Sequence, residues 1–235
     1  MSQDVLVLLG TAAAVAAAHT LLGPDHYLPF VALSKARHWS LRRTLWITAL
    51  CGLGHVGSSV ALGLVGIAAG ITLRHLELIE SQRGVIAAWL LMAFGTAYGT
   101  WGVIKASRAK RHAHAHVHSN GIVHVHVHAH HTDHVHPHDV NGRSVTPWVL
   151  FTIFVFGPCE PLIPLLMYPA VALSPWVVVV VVAVFGLVTI ATMTGVVFLS
   201  SLGLGFISPE RLGRFGHSLA GATIFLCGMG IRLGL

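Results

Sequence analysis

From Val5 to Leu33 the sequence stays apolar for longer than a bilayer is thick, yet three polar side chains, His19, Asp25 and His26, fall near the middle of the run. About 20 apolar residues suffice to cross a membrane as a helix. A carboxylate at the centre of such a span costs about 2.5–3.5 kcal/mol on insertion scales, so side chains of this kind mark function. The helix is also expected to break there. Pro24, after Gly23, has no N–H and frees the carbonyl of Thr20, and Pro29 frees that of Asp25. Bare backbone at that depth is tolerated only where it is buried in protein or lines a cavity.

Five more apolar stretches follow, giving six expected spans at about 5–33, 44–70, 84–106, 147–171, 175–203 and 212–234. With 54% hydrophobic and 9% charged residues, the composition excludes an ordinary soluble domain. The first stretch has Ala-rich, cleavage-like sites between Ala12 and Ala18. Its flank carries Asp4 and no basic residue, and the apolar run continues past the polar cluster, so it is expected to be a retained span. The expectation is an all-α polytopic membrane protein, organised as residues 1–106, a polar loop 107–146, and residues 147–235.

The net charge of +6 does not indicate nucleic acid, because the basic residues sort by loop. Eleven of the Lys and Arg residues, from Lys35 to Arg43, from Lys105 to Arg111, and at Arg143, Arg211 and Arg214, fall on one side of alternating spans. Only Arg74, Arg83 and Arg232 fall on the other. That asymmetry predicts a bacterial inner-membrane protein with both termini outside and the 107–146 loop in the cytoplasm. The stretch from Arg74 to Arg83 is expected to be a charged outer loop. Gly52, Gly54 and Gly57, and the pair Gly95 and Gly99, have the small-residue spacing of close helix packing. Cys51, Cys159 and Cys227 all lie in expected spans and form no disulfide framework.

Twelve of the chain's 18 histidines crowd the loop: His112, His114, His116, His118, His124, His126, His128, His130, His131, His134, His136 and His138. The early ones alternate with Ala and Val on either side of Asn120-Gly121, a hairpin pattern. A two-residue loop would pair His118 with Val123 and place the two histidine sets on opposite faces. A three-residue loop, Ser119 to Gly121, would pair His116 with His124, His114 with His126 and His112 with His128. A tract without fixed structure that binds metal loosely is the other reading. Neutral imidazoles suit zinc, copper, nickel and cobalt.

A second break is expected at Gly157-Pro158-Cys159-Glu160-Pro161 in the fourth span. Gly23-Pro24-Asp25 matches Gly157-Pro158-Cys159, and Asp25 precedes His55 by 30 residues as Cys159 precedes Thr189. Three spans per half invert the second copy. The expected architecture is a 3+3 inverted repeat whose first and fourth helices are broken and meet near the midplane, the plan of secondary transporters. Asp25 and Glu160 are the acidic residues expected at mid-span, with no Lys or Arg at that depth, so their partner should come from outside as a proton or a metal cation. His19, Asp25, His26 and His55 offer imidazoles and a carboxylate, and Cys159 and Glu160 a thiolate and a second carboxylate. Each has a plainer reading: a histidine can hydrogen-bond across helices, and a cysteine can pack as a small hydrophobe.

His19, Asp25-His26, Gly54-His55 and the His-rich loop together resemble the nickel/cobalt transporter superfamily, nearest its efflux and urease-accessory (NicO-like and UreH-like) branches. Five residues separate His19 from Asp25, where four are usual in the nickel permeases. The resemblance implies nickel or cobalt as transported substrate, carried by ligands of the first two spans. Gly157-Pro158-Cys159-Glu160-Pro161 is similar to the Pro-flanked cysteine of membrane thiol–disulfide carriers, although Asp25 stands where the first repeat would need the second thiol.

The leading expectation is therefore a secondary transporter, not an enzyme, for a divalent transition metal. Nickel or cobalt comes first, with zinc or copper behind, and efflux is favoured slightly over uptake. It has no resident cofactor, protons are the candidate coupling ion, and the bilayer is its surroundings. A Cys159 redox carrier and a membrane metal sensor that does not transport are the alternatives. No Gly-x-x-x-x-Gly-Lys-Ser/Thr is present to supply ATP drive, and no His-Glu-x-x-His to support a metalloprotease.

Overall fold

A computed structural model describes residues 3–108, 112–117, 123–128, 145–203 and 215–234. Helix α1 (Gln3–Leu22) ends just before Gly23. A single 3-10 turn, Pro24–His26, separates it from α2 (Leu28–Ala36). Then come α3 (Leu41–Ala68), α4 (Leu73–Arg108), α5 (Thr146–Phe156), α6 (Leu162–Ala172), α7 (Pro175–Gly203) and α8 (Gly216–Leu233). The described part is helical except for one ribbon between α4 and α5.

Both breaks fall where the Pro-Gly chemistry requires them. Pro24 and Pro158 cannot donate, so the chain turns and lets other donors reach the freed carbonyls. Gly157 N–H donates to Phe154 O (3.0 Å) and Ile163 N–H to Glu160 O (3.3 Å). Pro29 sits in the first turn of α2, where a missing N–H costs nothing.

Four of the described helices, α1, α3, α4 and α7, are long and apolar enough to cross a membrane. Many large apolar side chains face outward, among them Leu22, Trp148, Trp176 and Leu187. Such a surface is suited to lipid and costly in water.

The expected charged loop before the third span is instead helix. α4 runs unbroken for 36 residues. The reason is a buried stripe at helical spacing, Leu76, Glu80, Gly84, Ala87 and Leu91, which the charges around it obscure in the sequence. α4 packs most extensively on α8. A β-carbon on Gly95 would stand 2.7 Å from the carbonyl of Gly221, and one on Gly228 would stand 2.6 Å from that of Ala88. Backbones meet there because no side chain intervenes. α1 lies on α7, α5 on α3, α3 on α7, and α2 on α8. The main apolar core gathers Phe30 and Leu33 of α2, Leu91, Phe154, Met193 and Ile224.

The ribbon consists of β1 (His112–Val117) and β2 (Val123–His128), paired antiparallel with His112 opposite His128, His114 opposite His126 and His116 opposite His124. This is the register of the longer of the two candidate loops. The loop itself lies outside the described residues, with His118, His130, His131, His134, His136 and His138.

Candidate metal centre

The break after α1 brings the centre together. Gly23 takes an extended conformation, and its carbonyl accepts His26 N–H at 3.1 Å, closing the 3-10 turn. A β-carbon on Gly23 would fall 2.6 Å from His26 Nδ1, so glycine is needed there for close approach. The same carbonyl lies 3.1 Å from His26 Nδ1, and Asp25 Oδ1 lies 3.3 Å from it on another side. Both neighbours are acceptors, so Nδ1 carries the proton and Nε2 presents its lone pair. This is how outer partners orient a metal-binding imidazole.

His19, from the last turn of α1, and His55, from the middle of α3, stand against the His26 ring. The ring centroids of His19 and His26 are 4.8 Å apart, and those of His26 and His55 are 5.1 Å apart. One nitrogen from each ring lies within 4.8 Å of the others. Three nitrogens on one ion at 2.0–2.1 Å would stand roughly 3.3 Å apart, so the widest-spaced donors need to close in by about 1.5 Å. His26 and His55 are buried, and His19 is partly so. His19 Nε2 and His26 Nε2 are shielded from solvent and have no hydrogen-bond partner, and the buried His55 ring has none in good geometry, although the Phe154 carbonyl lies beside it. Buried imidazole nitrogens are normally paired. One nitrogen from each of the three rings, gathered in this way, leaves room for a cation. A cavity of ≈ 20 Å³, lined by Asp25, His26, His55 and the Gly157-Pro158 break among others, adjoins them. It holds about one water-sized sphere.

Of the expected ligands, the fold thus brings together His19, Asp25, His26 and His55. Cys159 is buried against Ala16, Val56, Leu162 and Phe185, an apolar setting, and is not part of the histidine group. Glu160 is exposed, because the turn that sends Cys159 inward places its neighbour outside. Cys51, Cys159 and Cys227 are all free thiols.

Two functional-looking residues escape the sequence reading. Glu80 is fully buried, and its carboxylate pairs with Arg83 one helical turn on. The pair attends the second break. Cys159 N–H donates to Glu80 Oε2 (3.1 Å). Arg83 donates to Val155 O (2.7 Å) and Gly157 O (3.3 Å), carbonyls at the frayed end of α5. It also donates to the hydroxyls of Ser58 (2.6 Å) and Ser59 (3.3 Å) on α3. The expectation that no basic residue stands at the level of the breaks is therefore corrected. The available signal was the accounting of carbonyls freed at Gly157 and Val155, which demands a donor from somewhere. Asp25, by contrast, pairs with His26 and with no Lys or Arg among the described residues.

Fold and site define a helical chain of membrane-spanning type with three histidines and a carboxylate gathered at a broken helix. Comparison with family models, curated proteins and solved structures finds no match to this chain.

Proposed function

We propose that the protein is a secondary transporter of divalent transition-metal ions, with His19, Asp25, His26 and His55 as the transport site. The observation that carries this reading is the convergence of unpartnered, shielded imidazole nitrogens beside a carboxylate. Imidazole nitrogen donors, with Asp25 beside them, select first-row transition metals over calcium or magnesium. Nickel or cobalt is the first choice on the resemblance of the motifs, with zinc next.

The six-span inverted repeat belongs to the same proposal. It is supported by the contacts, which recur with the halves exchanged: α1 on α7 as α5 on α3, and α2 on α8 as α6 on α4. A broken first helix in each half is the transporter arrangement in which the site lies at the repeat interface. The cavity takes its donors from the first half and part of its wall, Phe154 to Pro158, from the second. An incoming cation must displace protons from its ligands, which gives a proton gradient a means of driving release. The His-rich loop, on the cytoplasmic side by the charge asymmetry, collects the ion and favours efflux.

The test is flux in proteoliposomes loaded with a metal-sensitive dye, comparing nickel, cobalt and zinc. Wild type should carry at least nickel or cobalt. His26→Ala should stop it, and deletion of residues 112–138 should shift only the concentration dependence. Absence of flux under a proton gradient of either sign would overturn transport. Tight binding without flux would leave sensing as the function.

A further inference from the structure

The pair of buried Glu80 and partly buried Arg83 takes no part in holding an ion, yet its hydrogen bonds run to the two elements that frame the site. On one side lies α3, where Arg83 donates to Ser58 Oγ at 2.6 Å and Ser58 Oγ donates onward to the carbonyl of His55 at 2.9 Å. On the other side lies the end of α5, where the same guanidinium holds the carbonyls of Val155 and Gly157. Gly157 is the residue against which the His55 ring stands. One residue past Arg83, Gly84 lets Pro158 approach so closely that a β-carbon there would fall 2.9 Å from its Cγ. Glu80 keeps the guanidinium neutralised and ties down Cys159 N–H.

We propose that Arg83 is a positioning residue for the metal centre: its planar fork joins the His55 helix to the second break and fixes how closely Gly157 stands to the His55 imidazole, and so where His55 aims its donor nitrogen. A fork-shaped donor can bond two elements at once, which an ammonium on a flexible stem does less well. The inference rests on the metal reading above. A pair that serves stability alone would leave the donor geometry unchanged when it is replaced by apolar groups of similar shape.

Cobalt(II) reads donor geometry directly through its visible ligand-field bands. The full-length protein in detergent would be titrated with cobalt, and the bands that disappear in His26→Ala would be assigned to this centre, apart from loop histidines. The key variant is Glu80→Gln with Arg83→Met, which removes both charges together and leaves none buried alone. It should unfold cooperatively without metal. Its cobalt bands should shift in position or intensity, with affinity lower by about tenfold or more, the usual effect of losing an outer partner of a metal ligand. Arg83→Lys should recover thermal stability and not the band shape. Ser58→Ala, a milder change in case the double variant does not fold, should move the bands in the same direction. Wild-type bands and affinity in the double variant, or in Ser58→Ala if the double variant does not fold, would overturn the positioning role. Absence of any His26-dependent band in wild type would instead overturn the metal reading itself, so the two failures are distinct.

Discussion

Gly157 and His55 belong to different halves of the chain and meet so closely that a β-carbon on Gly157 would stand 3.0 Å from His55 Nδ1. Gly157→Ala should therefore push the imidazole off its position. Overpacking of this kind costs about 1–3 kcal/mol. Metal affinity, measured by calorimetry in detergent, should fall by about tenfold or more for the same reason. An unchanged affinity would show that the second break does not bear on the donors.

Neither ring nitrogen of the buried His55 meets a partner in good hydrogen-bond geometry, although the Phe154 carbonyl lies beside the ring, a state that weakens the metal-free protein. His55→Leu replaces it with an apolar group of similar volume. Thermal unfolding of the metal-free protein should rise, since relief of a buried unsatisfied polar group is worth about 1–3 kcal/mol. Metal binding at the centre should vanish. A destabilised metal-free variant would mean that the nitrogens have partners such as ordered water.

An ion held only by the folded site raises stability by mass action. At a free concentration of nickel or cobalt about 100 times Kd, the gain is about 2.7 kcal/mol. The transition in wild type should move up accordingly, and that in His26→Ala should not. An equal shift in both would place the stabilising ion elsewhere, in the loop histidines.

Arg83→Ala leaves Glu80 buried with no counter-charge. Breaking such a pair costs about 3–5 kcal/mol, whereas replacing both members is near neutral. The single variant should therefore express poorly and unfold early, and Glu80→Gln with Arg83→Met should be closer to wild type. Equal losses in the two would show that the hydrogen bonds to the α5 end, and not the isolated charge, dominate stability.

At Gly95 and Gly221 the seam between α4 and α8 has no room for side chains. Gly221→Val should block the approach to Gly95 and abolish the folded protein. The check is a monodisperse peak in size-exclusion chromatography, which the variant should lack.

The sequence made legible whatever depends on local chemistry. Pro24 and Pro158 mark both breaks because proline lacks a donor wherever it sits. His19, Asp25, His26 and His55 stand out because polar side chains are conspicuous in apolar stretches. Alternation around Asn120-Gly121 restricted the ribbon to two registers, and the observed one is among them. What stayed hidden depends on distant partners. Glu80 and Arg83 look like a surface pair in a charged segment until the fold lays α5 against them, 72 residues further along the chain at Val155. Cys159 and Glu160 read as neighbours with a common purpose, and only the turn separates an inward thiol from an outward carboxylate.

α4 is 36 residues long, about 54 Å as a helix, against roughly 30 Å of hydrocarbon. Ala87 and Leu91, which line the cavity, stand close to its midpoint. In a bilayer such a rod emerges from both faces, with exposed Arg74 and Glu77 at one end and Lys105 and Arg108 at the other. Sliding it far along its axis would draw one of these charged groups into hydrocarbon, at a cost of several kcal/mol. The charges behave as end stops on a shaft. They hold α4 at one height in a bilayer and, with it, the depth of the cavity that Ala87 and Leu91 line.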